Sequence, residues 1–171
     1  MKELLKLIDN ENRNQCIDFY EFILLKCGEA KGSSHNHQNW KSGYFDHIDE
    51  VFKYCISLYE MLSKDRELNF SLSDALLVLF LHDIEKPIKY SRASEYITHN
   101  INDSEVKDYF IKKFGFNLSE EHKIALKYIH GEGDDYQKDK RVMTPLCAFC
   151  HCCDVISARI FFDYPKQLSN N

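Results

Sequence analysis

Residues 76–81 read Leu-Leu-Val-Leu-Phe-Leu and run without a break into His82 and Asp83. A stretch this apolar belongs in the interior, and burying two ionisable side chains at its end is costly unless they meet a partner. Any fold open to this chain must therefore bring a cation, or groups of complementary charge, to His82 and Asp83. Glu85, Lys86 and Pro87 follow at once; the helix is expected to end at His82-Asp83, with Pro87 preventing much continuation.

The chain has 171 residues, 44% of them hydrophobic and 13% aromatic, enough for one domain with a substantial core. Only three prolines and six glycines occur, which favours helices over turn-rich β architecture. The formal net charge of −5 argues against general attraction to nucleic-acid backbones or anionic membranes. No apolar run approaches the roughly 18 residues of a membrane span. The charged start, Met1-Lys2-Glu3, lacks the apolar centre of a signal peptide. Seven cysteines, an odd number, with four clustered in 147–153, read as reduced thiols in a cytoplasmic compartment.

Apolar residues recur at helical spacing along most of the chain. Residues 1–28 are expected to form two N-terminal helices with a break at 9–12, followed by a polar pocket loop at 29–43 that carries His35, His37 and Trp40. A core at 44–164 follows, then a tail at 165–171. Within the core, a helix over 44–63 has Ile48, Val51, Phe52, Cys55, Leu58 and Leu62 on one stripe, with His47 on the inward side of its first turn. Ser71 or Ser73 caps the central helix. Further helices are predicted over 91–100 and 104–114, then from Ser119 to about Ile129, and lastly from Thr144-Pro145 until Pro165. No strand pattern or repeat is present, and the expected fold is a single all-α domain, a helical bundle with a metal site between its central helices.

Metal ligation requires lone-pair side chains brought together from rigid elements. His47, His82, Asp83 and Asp154 meet that description, and two imidazoles with two carboxylates suit Mn, Fe, Co, Ni or Zn, with Mg also open. The order of Gly43-Tyr44-Phe45-Asp46-His47, Leu81-His82-Asp83-Ile84-Glu85-Lys86 and Asp154-Val155-Ile156-Ser157-Ala158-Arg159 resembles the HD-domain superfamily of metal-dependent phosphohydrolases. The resemblance runs from about His35 to Arg159. It departs from the family at Glu85, where many members carry glycine.

The resemblance implies hydrolysis of a phosphate ester or anhydride by attack of metal-bound water, on a small phosphorylated substrate such as a nucleotide. It implies His47, His82, Asp83 and Asp154 as metal ligands. Asp83 would also orient the water, and Lys86 would neutralise a phosphate, unless it is a solvated lysine at a helix end. His130, in Tyr128-Ile129-His130-Gly131, resembles an extra histidine of some members. It reads equally as a second-metal ligand, a leaving-group acid or a solvated helix-end histidine. His37, Trp40, Glu85 and Arg159 are the candidate substrate contacts, with Arg159 equally suited to a structural ion pair. A phosphodiesterase or 3′-exonuclease acting on cyclic nucleotides or short RNA is the alternative enzyme, and a non-catalytic regulatory module the alternative class. Strong nucleic-acid binding and membrane association are not expected, and self-association into a homo-oligomer is compatible with the sequence.

Two other patterns compete. Cys147-Ala148-Phe149-Cys150-His151 matches the haem-attachment motif but lies inside an apolar helical stripe, where buried thiols filling helix contacts fit better. His151, one turn before Asp154, is a possible ligand or supporting donor. Glu132, Asp134 and Asp135 form an acidic loop without the alternation of a calcium loop, with Tyr136 as a possible lid residue.

Overall fold

The apolar stretch forms its helix because both ends are defined by side chains. Ser71 accepts from the Asp74 amide and Asp74 accepts from the Ser71 amide, a reciprocal capping box that starts the central helix. In the computed structural model, which describes residues 1–91, 102–160 and 162–163, that helix is α4, Leu72–Leu81. The earlier helices are α1 (Lys2–Leu5), α2 (Asn10–Cys27) and α3 (Gly43–Asp65). After α4 come α5 (Lys86–Lys89), α6 (Asp103–Phe114), α7 (Glu120–Tyr128) and α8 (Pro145–Ile160). The described residues are helical with no strand; Gln137 and Lys140 form an isolated bridge in the acidic loop.

α8 packs against α3, α4 and α7, and α4 packs against α3 and α7, so the apolar α4 lies at the centre. Residues 75–81 are all buried. On the opposite side α2 packs against α5 and α6. There Phe19 meets Phe80, Phe110 and Phe114 edge-on at 6.0, 5.6 and 5.2 Å, the tilted arrangement that aromatic quadrupoles favour.

Several boundaries differ from expectation for local reasons. The N-terminal break falls earlier, because Asp9 caps α2 by accepting from the Glu11 amide. α6 starts from Asn102, whose capping box with Glu105 precedes the expected Ser104. α4 ends at Leu81 with His82 as its C-cap, as expected, while residues 82–85 form a turn and Pro87 sits in the first turn of α5, where a missing N–H costs nothing. Ser119 caps α7, and Thr144 Oγ1 accepts from the Cys147 amide at the start of α8, both as expected. The helix predicted over 91–100 falls outside the described residues from 92 onward, as do Phe161, Pro165 and the tail.

All seven cysteines are free, and six are buried among the helices. Burial pushes the Cys147 thiol up to about 11, and those of Cys16 and Cys150 also well above the ordinary thiol range. Cys147 and Cys150 donate to the carbonyls of Ala125 and Ala75 as interior packing residues, as expected for the haem-like motif.

Candidate metal centre

Three helices and one turn bring the four expected ligands together. α3 supplies His47 from its second turn, α4 ends with His82 as its C-cap, Asp83 follows in the turn, and α8 contributes Asp154. The mutual packing of α3, α4 and α8 places these positions in one buried spot. His47 Nε2 lies 3.2 Å from His82 Nε2 and 3.3 Å from Asp154 Oδ1. His82 Nε2 is 3.5 Å from Asp154 Oδ1 and 3.1 Å from Asp83 Oδ2. Ligands on neighbouring positions of an ion with bonds of about 2.1 Å stand roughly 3.0–3.4 Å apart, so these spacings match a coordination polyhedron.

Hydrogen bonds fix which imidazole nitrogens face the cluster. His82 Nδ1 donates to the Leu79 carbonyl at 2.7 Å, which turns Nε2 inward. Ser157 Oγ donates to Glu50 Oε2 at 2.7 Å and lies 3.0 Å from His47 Nδ1, so it accepts from that nitrogen. This makes a buried Glu50–Ser157–His47 chain, the carboxylate-backed arrangement typical of metal-ligating histidines. Asp83 is fully buried. Lys86 Nζ forms a close ion pair with Asp83 Oδ2 at 2.5 Å, which leaves Oδ1 as the oxygen without a near partner. His47, His82 and Asp154 present two inward imidazole nitrogens and a carboxylate at spacings that could hold a divalent cation, with Asp83 alongside.

The charges agree with that reading. Burial alone would lower the His82 imidazole, but Asp83 and Asp154 outweigh it and push it up to about 10. Burial lowers His47 despite its contact with Asp154. Burial alone would raise both carboxyls. The charges of His82 and Lys86 instead hold Asp83 well below the ordinary range, and the close His47 and His82 imidazoles do the same for Asp154. Without a metal, a proton on His82 supplies the positive charge that two buried carboxylates need.

Around the cluster, Lys86 Nζ also lies 3.4 Å from His37 Nε2, and His37 Nδ1 contacts Gln38 Oε1 at 2.5 Å. Burial and the Lys86 charge push His37 down to about 4, leaving it neutral near pH 7. His130 Nε2 is 3.6 Å from Asp83 Oδ1 and 3.9 Å from Asp154 Oδ2, with its side chain 54% exposed. Burial and the charge of His82 lower its pKa. His82, Asp83 and His130 form a second group within metal-ligating distance of one another.

Two clefts meet at His130. One, of about 670 Å³, is lined by Asp83, Glu85, Lys86, Lys107 and His130 together with residues of α6 and α7. The other, of about 350 Å³, is lined by His37, His130, His151, Asp154 and Arg159. Glu85, Arg159 and His37 therefore line the clefts that border the cluster. Trp40 does not join them: its indole N–H donates to Asp46 at 2.8 Å, and it lines neither cleft. His151 gives Nδ1 to the Ile129 carbonyl at 2.5 Å and belongs to neither potential ligand group. His122 Nε2 lies 2.9 Å from Asp74, away from the cluster, and His99 lies outside the described residues. In the acidic loop Asp135 is paired with Lys127 and Tyr128, and Tyr136 is exposed.

Four participating residues carry no sequence signal of their own. Gln38 is buried at φ +41° and donates from Nε2 to Glu50 Oε2 and to the Ser157 carbonyl. Glu50 and Ser157 read as ordinary polar residues within helices. Lys107, on α6, donates its Nζ proton to the His82 carbonyl at the open end of α4. Comparisons with protein-family models, curated proteins and solved structures give no match.

Proposed function

We propose that this chain is a metal-dependent phosphohydrolase of the HD-domain type, acting on a small phosphorylated substrate of the nucleotide class. One observation carries the reading. His47 and His82 turn Nε2 toward each other at 3.2 Å, beside the buried Asp154 and Asp83 carboxylates. His47, His82, Asp83 and Asp154 would hold a divalent ion such as Mn, Fe, Co, Ni, Zn or Mg. Such an ion lowers the pKa of water and offsets charge that builds on phosphoryl oxygens.

The chain's own residues supply the rest. Lys86, anchored between Asp83 and His37, presents a cation to a phosphoryl oxygen. His130, half-exposed in the cleft and close to Asp83, would give a proton to the leaving oxygen once the negative charge of a bound phosphate favours its protonated form. The shared position of His130 in a second potential ligand group favours, as a second reading, a phosphodiesterase with a further ion there. The free thiols, together with the lack of any described helix long and apolar enough to cross a membrane, support a cytoplasmic setting.

The test is direct. Protein stripped with a chelator is assayed for release of phosphate from nucleoside mono- and triphosphates, cyclic dinucleotides and short RNA, before and after adding Mn²⁺ or Co²⁺. Metal-dependent hydrolysis that is lost in the double variant His82→Ala, Asp83→Ala supports the reading. Absence of any bound or activating divalent ion rejects it.

A further inference from the structure

Gln38 is fully buried in the loop before α3, and both ends of its side-chain amide face groups whose hydrogen-bonding roles are fixed. One end lies 3.1 Å from Glu50 Oε2 and 3.1 Å from the Ser157 carbonyl oxygen. Both of those atoms accept, so this end is the NH2 group, and its two protons are used there. The other end is then Oε1, which lies 2.5 Å from His37 Nδ1. A carbonyl oxygen at that distance requires the proton on Nδ1. Across the ring, His37 Nε2 is 3.4 Å from the Lys86 ammonium, which has no lone pair, so Nε2 is the unprotonated acceptor. Turning the Gln38 amide over would set oxygen against oxygen at Glu50 and Ser157. Its backbone is pinned as well, by the Gly32 amide that donates to its carbonyl and by its own N–H, which donates to the Phe162 carbonyl.

We propose that Gln38 is a positioning residue for Lys86: it fixes His37 as the Nδ1-protonated tautomer, whose Nε2 then holds the Lys86 ammonium. Asp83 Oδ2 and His37 Nε2 engage two of the three ammonium protons, which leaves the third for a phosphoryl oxygen. With both ring nitrogens engaged by the protein, His37 is a positioning residue and not the substrate contact that the sequence suggests. Glu50 is the common root of two chains. Its Oε2 accepts from Ser157 on the way to His47 and from Gln38 on the way to Lys86. One buried carboxylate thus orders both a candidate ligand of the ion and the cation beside it. The assignment rests on the phosphohydrolase reading only for the target of the third proton; the tautomer and the Lys86 contact stand without it.

The test joins two spectroscopic readouts to one of turnover. Long-range ¹H–¹⁵N correlation spectra of the ¹⁵N-labelled chain with Zn²⁺ at pH 7 read the His37 tautomer, and His37→Phe assigns its signals. A proton on Nδ1 with Nε2 bare is expected; the reverse tautomer or a doubly protonated ring overturns the proposal. Correlation of the lysine ammonium nitrogens, assigned with Lys86→Met, reads the second link. The Lys86 protons are expected to exchange with water about 3- to 10-fold faster in His37→Phe than in wild type, the scale of one lost hydrogen bond. Part of the protection should return in His37→Gln, whose amide oxygen can stand in for Nε2. Exchange equal in wild type and His37→Phe overturns the proposal. Phosphate release with Mn²⁺ is followed on the same variants, with kcat about 10-fold lower in His37→Phe at unchanged metal content and largely restored in His37→Gln. Gln38→Leu should match His37→Phe in the Lys86 exchange and in kcat; should it fail to fold, the wild-type tautomer and the His37 variants still decide. The expected spectra without any metal-dependent hydrolysis reject the phosphohydrolase reading and leave the Gln38–His37–Lys86 chain standing. Hydrolysis with an unchanged kcat in His37→Phe rejects the positioning role and leaves that reading intact.

Discussion

His47 Nε2 and His82 Nε2 face each other at 3.2 Å, while the Nδ1 atoms of both rings are engaged by Ser157 and by the Leu79 carbonyl. Two such nitrogens at this distance repel unless a proton or a cation lies between them. A divalent ion is therefore expected to stabilise the fold: at a free concentration one hundred times its Kd, by about 2.7 kcal/mol. Thermal melts with Mn²⁺, Co²⁺ or Zn²⁺, and with a chelator, check this. The shift should vanish in His82→Ala; an unchanged melting temperature across all three ions would refute it.

Ser157 receives the His47 Nδ1 proton and passes its own to Glu50. Ser157→Ala or Glu50→Gln should weaken metal affinity by about 10- to 100-fold without removing a ligand. Competition against a fluorescent chelator measures the change. Affinity equal to wild type in both variants would mean that the chain merely fills space.

Lys86 is the cation nearest the Asp83 carboxylate, and its side chain is largely buried. Lys86→Met should lower the rate of phosphate release by about 100-fold, the usual scale for removing one group that stabilises transition-state charge. Metal content, determined on the same sample by elemental analysis, should stay stoichiometric. Loss of the metal together with activity would make Lys86 a support for Asp83 and not a phosphate contact.

Gly43 opens α3 at a point where a Cβ would lie 1.9 Å from the Gln38 carbonyl oxygen. Backbone on both sides has little room to yield, because Gln38 is tied to α3, α8 and the Gly32 amide. Gly43→Ala should cost roughly 1–3 kcal/mol, read from urea denaturation. It should also displace His37, visible as a change in its imidazole NMR resonances.

Asp74 gives a prediction for acid that is separate from the metal ligands. Burial would raise its carboxyl, but hydrogen bonds with Ser71 and His122 outweigh it and hold the folded value below the ordinary one. A depressed folded pKa stabilises above the unfolded value, near pH 4, and the contribution fades as pH falls through the folded value. Asp74→Asn should cost about 1 kcal/mol near pH 6 as a damaged cap, a figure kept modest because the side chain is one-third exposed. Denaturation curves of wild type and variant should converge below about pH 3.

The residues that meet in the cluster were legible in the sequence because each stands out from an apolar, helically periodic background: His47 on the α3 stripe, His82 and Asp83 after six apolar residues, Asp154 within α8. The caps Ser119 and Thr144 were legible for a similar reason, since their chemistry is local. Glu50, Ser157 and Gln38 were not, because their roles arise only where α3, α8 and the preceding loop meet. Trp40 looked like a cleft residue from its polar surroundings, yet a partner six residues on, Asp46, claims its only donor. Lys107 was invisible because nothing in its own helix shows that it reaches the end of another. The end of α4 at His82 was legible, whereas the start of α5 around Pro87 was not: a proline stops the helix before it and equally well starts the one it belongs to.

The end of α4 falls between the two adjacent ligands, with His82 as its C-cap and Asp83 in the turn beyond. His82 still has right-handed helical backbone, so the turn at 82–85 leaves α4 smoothly and leads into α5, whose first residues are Lys86 and Pro87. The same four residues thus join two helices and hold the His82 Nε2–Asp83 Oδ2 contact at 3.1 Å. A substitution that drew this turn into a regular extension of α4 would shift Glu85, Lys86 and Pro87 against the cluster while leaving every candidate ligand in the sequence.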